Sequence, residues 1–149
     1  LKEKGVYTID KELLSEIRKS FDCGYADDAA ARAAIKEAYE EYDRVIDPHT
    51  AVALSVAEEY KKRTDKEERH PMVILSTASP YKFAADVYAS IFGEAEGDGF
   101  ELMELLRDKT GEPVPKALSE LRNKKILHDD VVERSAMAGF VLDNARRKL

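Results

Sequence analysis

Apolar positions in the first 92 residues fall into short runs typical of β-strands and longer stretches with a helical repeat. Strand-like runs occupy residues 6–9, 44–47 and 72–75, where β-branched and other apolar side chains cluster, and residues 21–25 also suggest extended backbone. Residues 72–75 are apolar on both faces, which is typical of a central strand in a parallel sheet. The pattern therefore predicts a short parallel sheet.

Helical repeats separate these runs, and most of them begin at a residue that favours a helix N-terminus. The predicted helices are one after Asp10, one from Asp27 or Asp28 to about Tyr42, one from Thr50 to about Arg63, and one that begins at Ser79 and Pro80. Because strand, helix, strand and helix alternate between residues 44 and 92, we expect a right-handed parallel βαβ unit there.

The second half of the chain carries helical patterns alone. Residues 92–99 hold three of the seven glycines among acidic side chains, which predicts an exposed loop. The helices predicted beyond it span residues 100–109, residues 115–124, and a closing stretch that begins at Asp129 or Asp130. The predicted fold class is therefore helix-rich α/β in a single domain, with an α/β part over residues 1–92 and a helical part over residues 93–149.

Charge and cysteine content narrow the classes of protein that this chain can represent. Acidic side chains outnumber basic ones 30 to 24, so the net charge is −6. A general nucleic-acid binder would instead carry an excess of basic side chains on its binding surface. No apolar run approaches the about 20 residues that a membrane-spanning helix needs. A single cysteine, Cys23, cannot form an internal disulfide and indicates a reducing compartment. We expect a cytoplasmic protein without nucleic-acid or membrane partners.

Two loops follow the strands of the predicted βαβ unit, at residues 47–52 and 76–83. Ligands of open α/β sheets bind beyond the carboxyl ends of the strands, so we expect these loops to lie side by side. Ser79 and Pro80 fit the first positions of a helix whose free N–H groups favour an anion, and Lys82 adds a positive charge. The alternative is a plain helix cap with Lys82 in solvent.

The first of these loops holds a carboxylate, an imidazole and a hydroxyl within four residues. Asp47 is predicted to cap the following helix, with His49 and Thr50 in its opening turn. The three groups could form acid–base machinery, but neighbours on one helical turn do not all face one point. A structural, hydrogen-bonded role for His49 therefore stays open beside a catalytic one.

Together, the two loops resemble the C-terminal part of the threonine synthase family. Residues 47–51 read Asp-Pro-His-Thr-Ala, as one block of that family does. Residues 77–83 read Thr-Ala-Ser-Pro-Tyr-Lys-Phe, similar to the family's Thr-Ala-His-Pro-x-Lys-Phe block. Ser79 stands where the family often has histidine, so no side-chain role is carried over to it. The resemblance runs from about residue 5 to residue 92.

The resemblance implies a pyridoxal 5'-phosphate enzyme of the tryptophan-synthase-like fold type. Such a lyase acts in threonine biosynthesis and converts O-phospho-L-homoserine and water to L-threonine and phosphate. By the same resemblance, Thr77 lies beside the pyridine nitrogen of the cofactor, and Lys82, His49 and Thr50 bind substrate. The family's Schiff-base lysine and cofactor phosphate loop lie earlier in the sequence, so no catalytic residue is expected in this chain.

The first residue is Leu1 rather than methionine. We therefore expect a C-terminal portion that works with the remainder of the same polypeptide and is inactive alone. The alternative is a non-catalytic, helix-rich binding or interaction domain, in which the hydroxyl-rich loop only caps a helix.

Overall fold

The computed structural model describes residues 5–64, 71–94, 96–127 and 129–147, and in these ranges every regular element is a helix. The chain divides into two compact units, Leu1–Ser119 and Glu120–Leu149. The first unit contains α1 (Lys11–Arg18), α2 (Asp28–Tyr42), α3 (Pro48–Arg63), a 3₁₀ turn (Pro80–Phe83), α4 (Ala84–Phe92), α5 (Gly99–Thr110) and α6 (Lys116–Ser119). The second contains two 3₁₀ turns, Glu120–Asn123 and Arg134–Ala136, followed by α7 (Met137–Arg147).

Across the described ranges, none of the helices combines the length and apolarity that crossing a membrane requires.

Aspartate side chains determine where the first two helices begin. Asp10 accepts a hydrogen bond from the backbone N–H of Leu13 at 2.7 Å, and Asp27 accepts one from Ala30 at 2.8 Å. Each bond satisfies a backbone donor that has no partner within the first turn of the helix. The predicted starts of α1 and α2 are confirmed.

The chain leaves α2 through a left-handed residue. Asp43 has a φ of 51°, a region in which Asp and Asn are tolerated better than most residues with a side chain. The turn is closed by hydrogen bonds from the Asp43 N–H to the Tyr39 carbonyl and from the Arg44 N–H to the Ala38 carbonyl, both at 3.1 Å. After this reversal, residues 44–46 lead directly to Asp47 and the start of α3.

The core of the first unit is formed by α2, α3, α4 and α5. α2 packs on α3 and on α4, and α4 packs on α5. Ile35, Val87 and Leu106 are fully buried and come from three of these helices. The other buried members of the cluster are Ala31, Ala34, Ala51, Tyr81, Ala84, Leu102 and Met103. Ala51 and Tyr81 place the beginnings of α3 and of the Pro80–Phe83 turn against this core.

The predicted α/β fold, with its short parallel sheet and βαβ unit, is wrong for the part of the chain that the structure describes. Residues 6–9, 21–25, 44–46 and 71–77 have no regular hydrogen-bonding pattern, and no strand is formed. The best strand candidate, residues 72–75, is largely in solvent, since Val73 is 80 % exposed and Leu75 is 76 % exposed.

The physical reason is that a strand exists only as part of a sheet. A β-strand satisfies its backbone N–H and C=O groups on neighbouring strands, whereas a helix satisfies them within its own segment. Apolar content at residues 72–75 indicates a segment suited to burial in a sheet, and no described segment pairs with it. Residues 72–75 therefore lie outside any helix, as the sequence predicted, but they do not pair with a neighbouring strand.

The closing helix begins later than the sequence predicts. Residues 129–133 have no regular structure, and the Arg134–Ala136 turn leads into α7. Val131 and Val132 follow the predicted cap, and β-branched side chains lose rotamer freedom in a helix. Within α7, the Asn144 side-chain amide donates to the Phe140 carbonyl at 2.9 Å.

Candidate functional site

The start of α3 and the loop after residue 75 form one polar cluster on the first unit. It consists of Asp47, His49, Thr50 and Ser76, with Phe83 against its edge. We call these five residues the Asp47 cluster. It joins residues 47–50 and 76–83, the two loops that the sequence predicted to lie side by side, and that prediction is confirmed.

Asp47 lies at the centre of this cluster. Its side chain is completely buried. Oδ1 accepts hydrogen bonds from the backbone N–H of His49 at 3.0 Å and from the Nδ1 atom of the same residue at 2.9 Å. Oδ2 accepts a hydrogen bond from the Thr50 hydroxyl. The predicted capping role of Asp47 is confirmed, and two side-chain donors are added to it.

These hydrogen bonds keep Asp47 ionised. Burial alone raises the pKa of Asp47, because it removes water from the charged form. Hydrogen bonds from the Thr50 hydroxyl and from the side chain and backbone of His49 act in the opposite direction and outweigh burial, so the pKa lies below its ordinary value. The carboxylate therefore acts only as an acceptor near neutral pH.

The imidazole of His49 is held from two sides and remains accessible. Its Nδ1 atom meets Asp47, and its ring packs edge-on against Phe83, with the ring centres 5.2 Å apart and an interplanar angle of 64°. The side chain is nevertheless 64 % exposed. His49 is therefore oriented by the protein while part of its ring is free to meet a ligand.

Thr50 connects the two loops. Its side chain is buried, and its Oγ1 lies 3.2 Å from the Ser76 Oγ, within hydrogen-bonding distance. Since a hydroxyl carries one proton and Thr50 gives that proton to Asp47, the Ser76 hydroxyl serves as the donor between them. The Thr50–Ser76 contact thereby fixes the backbone immediately before Thr77.

The other two predicted site residues flank this cluster. Thr77 follows Ser76 and is exposed, and Lys82 precedes Phe83 and is also exposed. The predicted cap at Ser79 is confirmed, because its Oγ accepts a hydrogen bond from the Tyr81 N–H at 3.3 Å. The helix that follows begins with one 3₁₀ turn before it becomes α4.

The sequence pattern missed the central position of Asp47 and the part played by Ser76 and Phe83. The sequence does show Asp47 as an acid before Pro48 and Ser76 as a hydroxyl directly after an apolar run. Neither feature reveals which side chains meet in the folded chain. Within the described residues, no group of three or more His, Cys, Asp or Glu side chains is arranged to hold a metal ion.

Comparison with known proteins agrees with the resemblance seen in the two loops. A family model described as "Threonine synthase, C-terminal" matches residues 50–138. The fold is also similar to a crystal structure of threonine synthase with bound pyridoxal phosphate from Brucella melitensis, with 30 % sequence identity and a TM-score of 0.61. That match covers 84 % of this chain and 22 % of the Brucella chain, so this chain spans about a fifth of its length. Because the family model covers more than half of the residues, the chain belongs to the threonine synthase C-terminal family.

Proposed function

We propose that this chain is the C-terminal part of a pyridoxal 5'-phosphate-dependent threonine synthase. The complete enzyme converts O-phospho-L-homoserine and water to L-threonine and phosphate in the cytoplasm. The observation that carries the proposal is the family match over residues 50–138, which includes Thr50, Ser76 and Phe83 of the Asp47 cluster. The Brucella relative, with its bound cofactor, supports the choice of pyridoxal phosphate.

The hydroxyl-rich loop fits this cofactor chemically. Pyridoxal phosphate, when bound, supplies an electron sink for chemistry at the carbon atoms next to the substrate amino group. Thr77 would offer its exposed hydroxyl to the pyridine nitrogen. A neutral hydroxyl leaves that nitrogen less basic than a carboxylate partner would. The Thr50–Ser76 contact supports this role, because it holds the backbone directly before Thr77.

Three further residues are proposed to serve the substrate. Lys82 would attract the phosphate group through its exposed ammonium group, and His49 would present its exposed ring. Thr50 is buried and gives its proton to Asp47, so its part in substrate binding would be to hold the loop in position. The remainder of the polypeptide would supply the Schiff-base lysine, and this chain alone is expected to be inactive.

The test compares the longer polypeptide that carries this sequence with the 149-residue chain, each supplied with pyridoxal phosphate. Release of phosphate from O-phospho-L-homoserine, with formation of L-threonine, is expected from the longer polypeptide alone. Cofactor absorbance without any turnover of this substrate would contradict the proposal. Absence of cofactor binding and turnover would instead favour a non-catalytic interaction domain.

Thr77→Val tests the assignment within the active enzyme. Losing one hydrogen bond to the ring nitrogen is expected to lower turnover by about tenfold while the cofactor stays bound. Thr8→Val removes a hydroxyl from another exposed threonine and serves as the matched control. Unchanged turnover in Thr77→Val, with the control also unchanged, would remove Thr77 from the site.

A further inference from the structure

Asp47 differs from the other aspartates that cap helices in this chain. Asp10, Asp27 and Asp98 are exposed, and each accepts one or two backbone N–H groups at the start of its helix. Asp47 accepts the equivalent N–H bond but is fully buried, and it also accepts two side-chain donors. A cap requires only the backbone bond. The burial and the extra donors therefore need a separate explanation.

The contact between Asp47 and His49 determines which ring nitrogen carries a proton. An ionised carboxylate has no proton to give, so the 2.9 Å contact requires a proton on Nδ1 of His49. In the neutral imidazole the other nitrogen, Nε2, then has a free lone pair. Because the side chain is 64 % exposed, that lone pair is available to a ligand.

Two further contacts limit movement of this arrangement. Phe83 packs against one edge of the imidazole and restricts rotation of the ring. The Thr50 hydroxyl occupies Oδ2 of the carboxylate and leaves Oδ1 for His49. Both ring orientation and proton position are thus set by the protein before any ligand arrives.

From this geometry we infer that Asp47 is a positioning residue, which holds His49 so that Nε2 is presented to the substrate as a hydrogen-bond acceptor. The group that Nε2 accepts from is the ammonium group of the amino-acid substrate, because the side-chain oxygen of O-phospho-L-homoserine is esterified and carries no proton. The inference rests on the proposed function for the identity of that substrate. The arrangement of Asp47 and His49 is independent of it.

The first experiment measures the tautomer of His49 in the 149-residue chain by NMR of ¹⁵N-labelled histidine rings. Near pH 8, a protonated Nδ1 and an unprotonated Nε2 are expected. Asp47→Ser keeps a residue that caps helices well but is too short to reach the ring, so a mixture of both tautomers is expected. Asp27→Ser makes the same change at an exposed capping aspartate outside the Asp47 cluster and is expected to keep the wild-type tautomer. An Nε2-protonated ring in the wild type would overturn the inference.

The second experiment separates the role of Nε2 from structural support, in the active longer polypeptide. In His49→Asn, the side-chain amide places a donor near the position of Nδ1 and leaves nothing at the position of Nε2. In His49→Gln, the longer amide brings an acceptor oxygen to that outer position. We expect KM for O-phospho-L-homoserine to rise about tenfold in His49→Asn, the fold-change of one lost hydrogen bond, and less in His49→Gln.

Kinetics of His49→Asn equal to those of the wild type would overturn the inference, because the bond to Asp47 would then be the whole function of the ring. A wild-type polypeptide that lacks threonine synthase activity would defeat the proposed function instead. The tautomer measurement does not depend on activity, so the two failures are distinguishable.

Discussion

Asp47 is a carboxylate without solvent exposure that remains charged because its neighbours donate to it. Charged side chains are rarely buried completely, since losing water costs several kcal/mol unless hydrogen bonds or counter-charges replace it. In this chain the replacement comes from His49 and Thr50, which lie two and three residues after Asp47 on the same helical turn. The hydrogen bonds to the Asp47 carboxylate thus come from within the block Asp-Pro-His-Thr. This explains why a short sequence motif can specify them.

The acid sensitivity of the chain is expected to depend in part on Asp47. Its folded-state pKa lies below the ordinary value of 3.8, because hydrogen bonds outweigh the opposing effect of burial. As pH falls below about 4, the unfolded state therefore binds a proton first, and the stabilisation present above that pH is progressively lost. Urea unfolding between about pH 3 and pH 6 should show a steeper loss of stability for the wild type than for Asp47→Asn. Parallel curves for the two proteins would contradict this linkage.

At the scale of elements, α5 shows how one helix divides its side chains between core and solvent. Leu105 and Leu106 are neighbours in sequence, yet Leu106 is fully buried and Leu105 is 37 % exposed. One residue corresponds to about 100° around a helix, so adjacent leucines cannot face the core equally. The predicted helix over residues 100–109 is confirmed by α5.

This pair of leucines provides a matched test of the core. Leu106→Ala is expected to lower the free energy of unfolding by about 2–5 kcal/mol, because it removes buried methyl groups and leaves a cavity. Leu105→Ala makes the same chemical change at a partly exposed position and should cost about 1 kcal/mol or less. Equilibrium unfolding in urea measures both. Equal losses would mean that the core does not extend through Leu106 as the structure shows.

For the whole molecule, the sequence predicted helix positions better than it predicted the fold class. Capped, periodic segments such as α2 carry their own hydrogen bonds, so local pattern is sufficient to locate them. Residues 72–75 depend on backbone partners from elsewhere, and a local pattern cannot state whether those partners are in the chain. The loops of the candidate site were found through their residue types. The complete burial of Asp47 and the contact between Thr50 and Ser76 depend on distant parts of the chain, so they required the folded arrangement.

The exposed apolar run at residues 72–75 is expected to influence association more than stability. These residues border an open groove of about 570 Å³, which is also lined by Ala53, Val56 and Tyr60 of α3. Val73→Lys should change the free energy of unfolding by about 0.5 kcal/mol or less, because Val73 is exposed. It should also reduce self-association, because a charged side chain disfavours pairing of this extended segment with a second chain. Sedimentation velocity at increasing concentration measures the second effect.

A matched change in the core distinguishes this surface effect from a general loss of folding. Val87 is fully buried in α4, so Val87→Lys should unfold the chain, whereas Val73→Lys should not. If the Val73→Lys protein is folded and still self-associates as strongly as the wild type, residues 72–75 are not the surface through which the chains associate.

The left-handed residue at the end of α2 also limits how this sequence can diverge. Asp43 occupies a backbone region that glycine and asparagine also enter readily, but that valine or isoleucine enters only with strain. Four residues later the chain must deliver Asp47 to the core, so an altered turn would displace the carboxylate rather than only the loop. The Asp47 cluster therefore limits which residues position 43 can hold, although the Asp43 side chain is not part of that cluster.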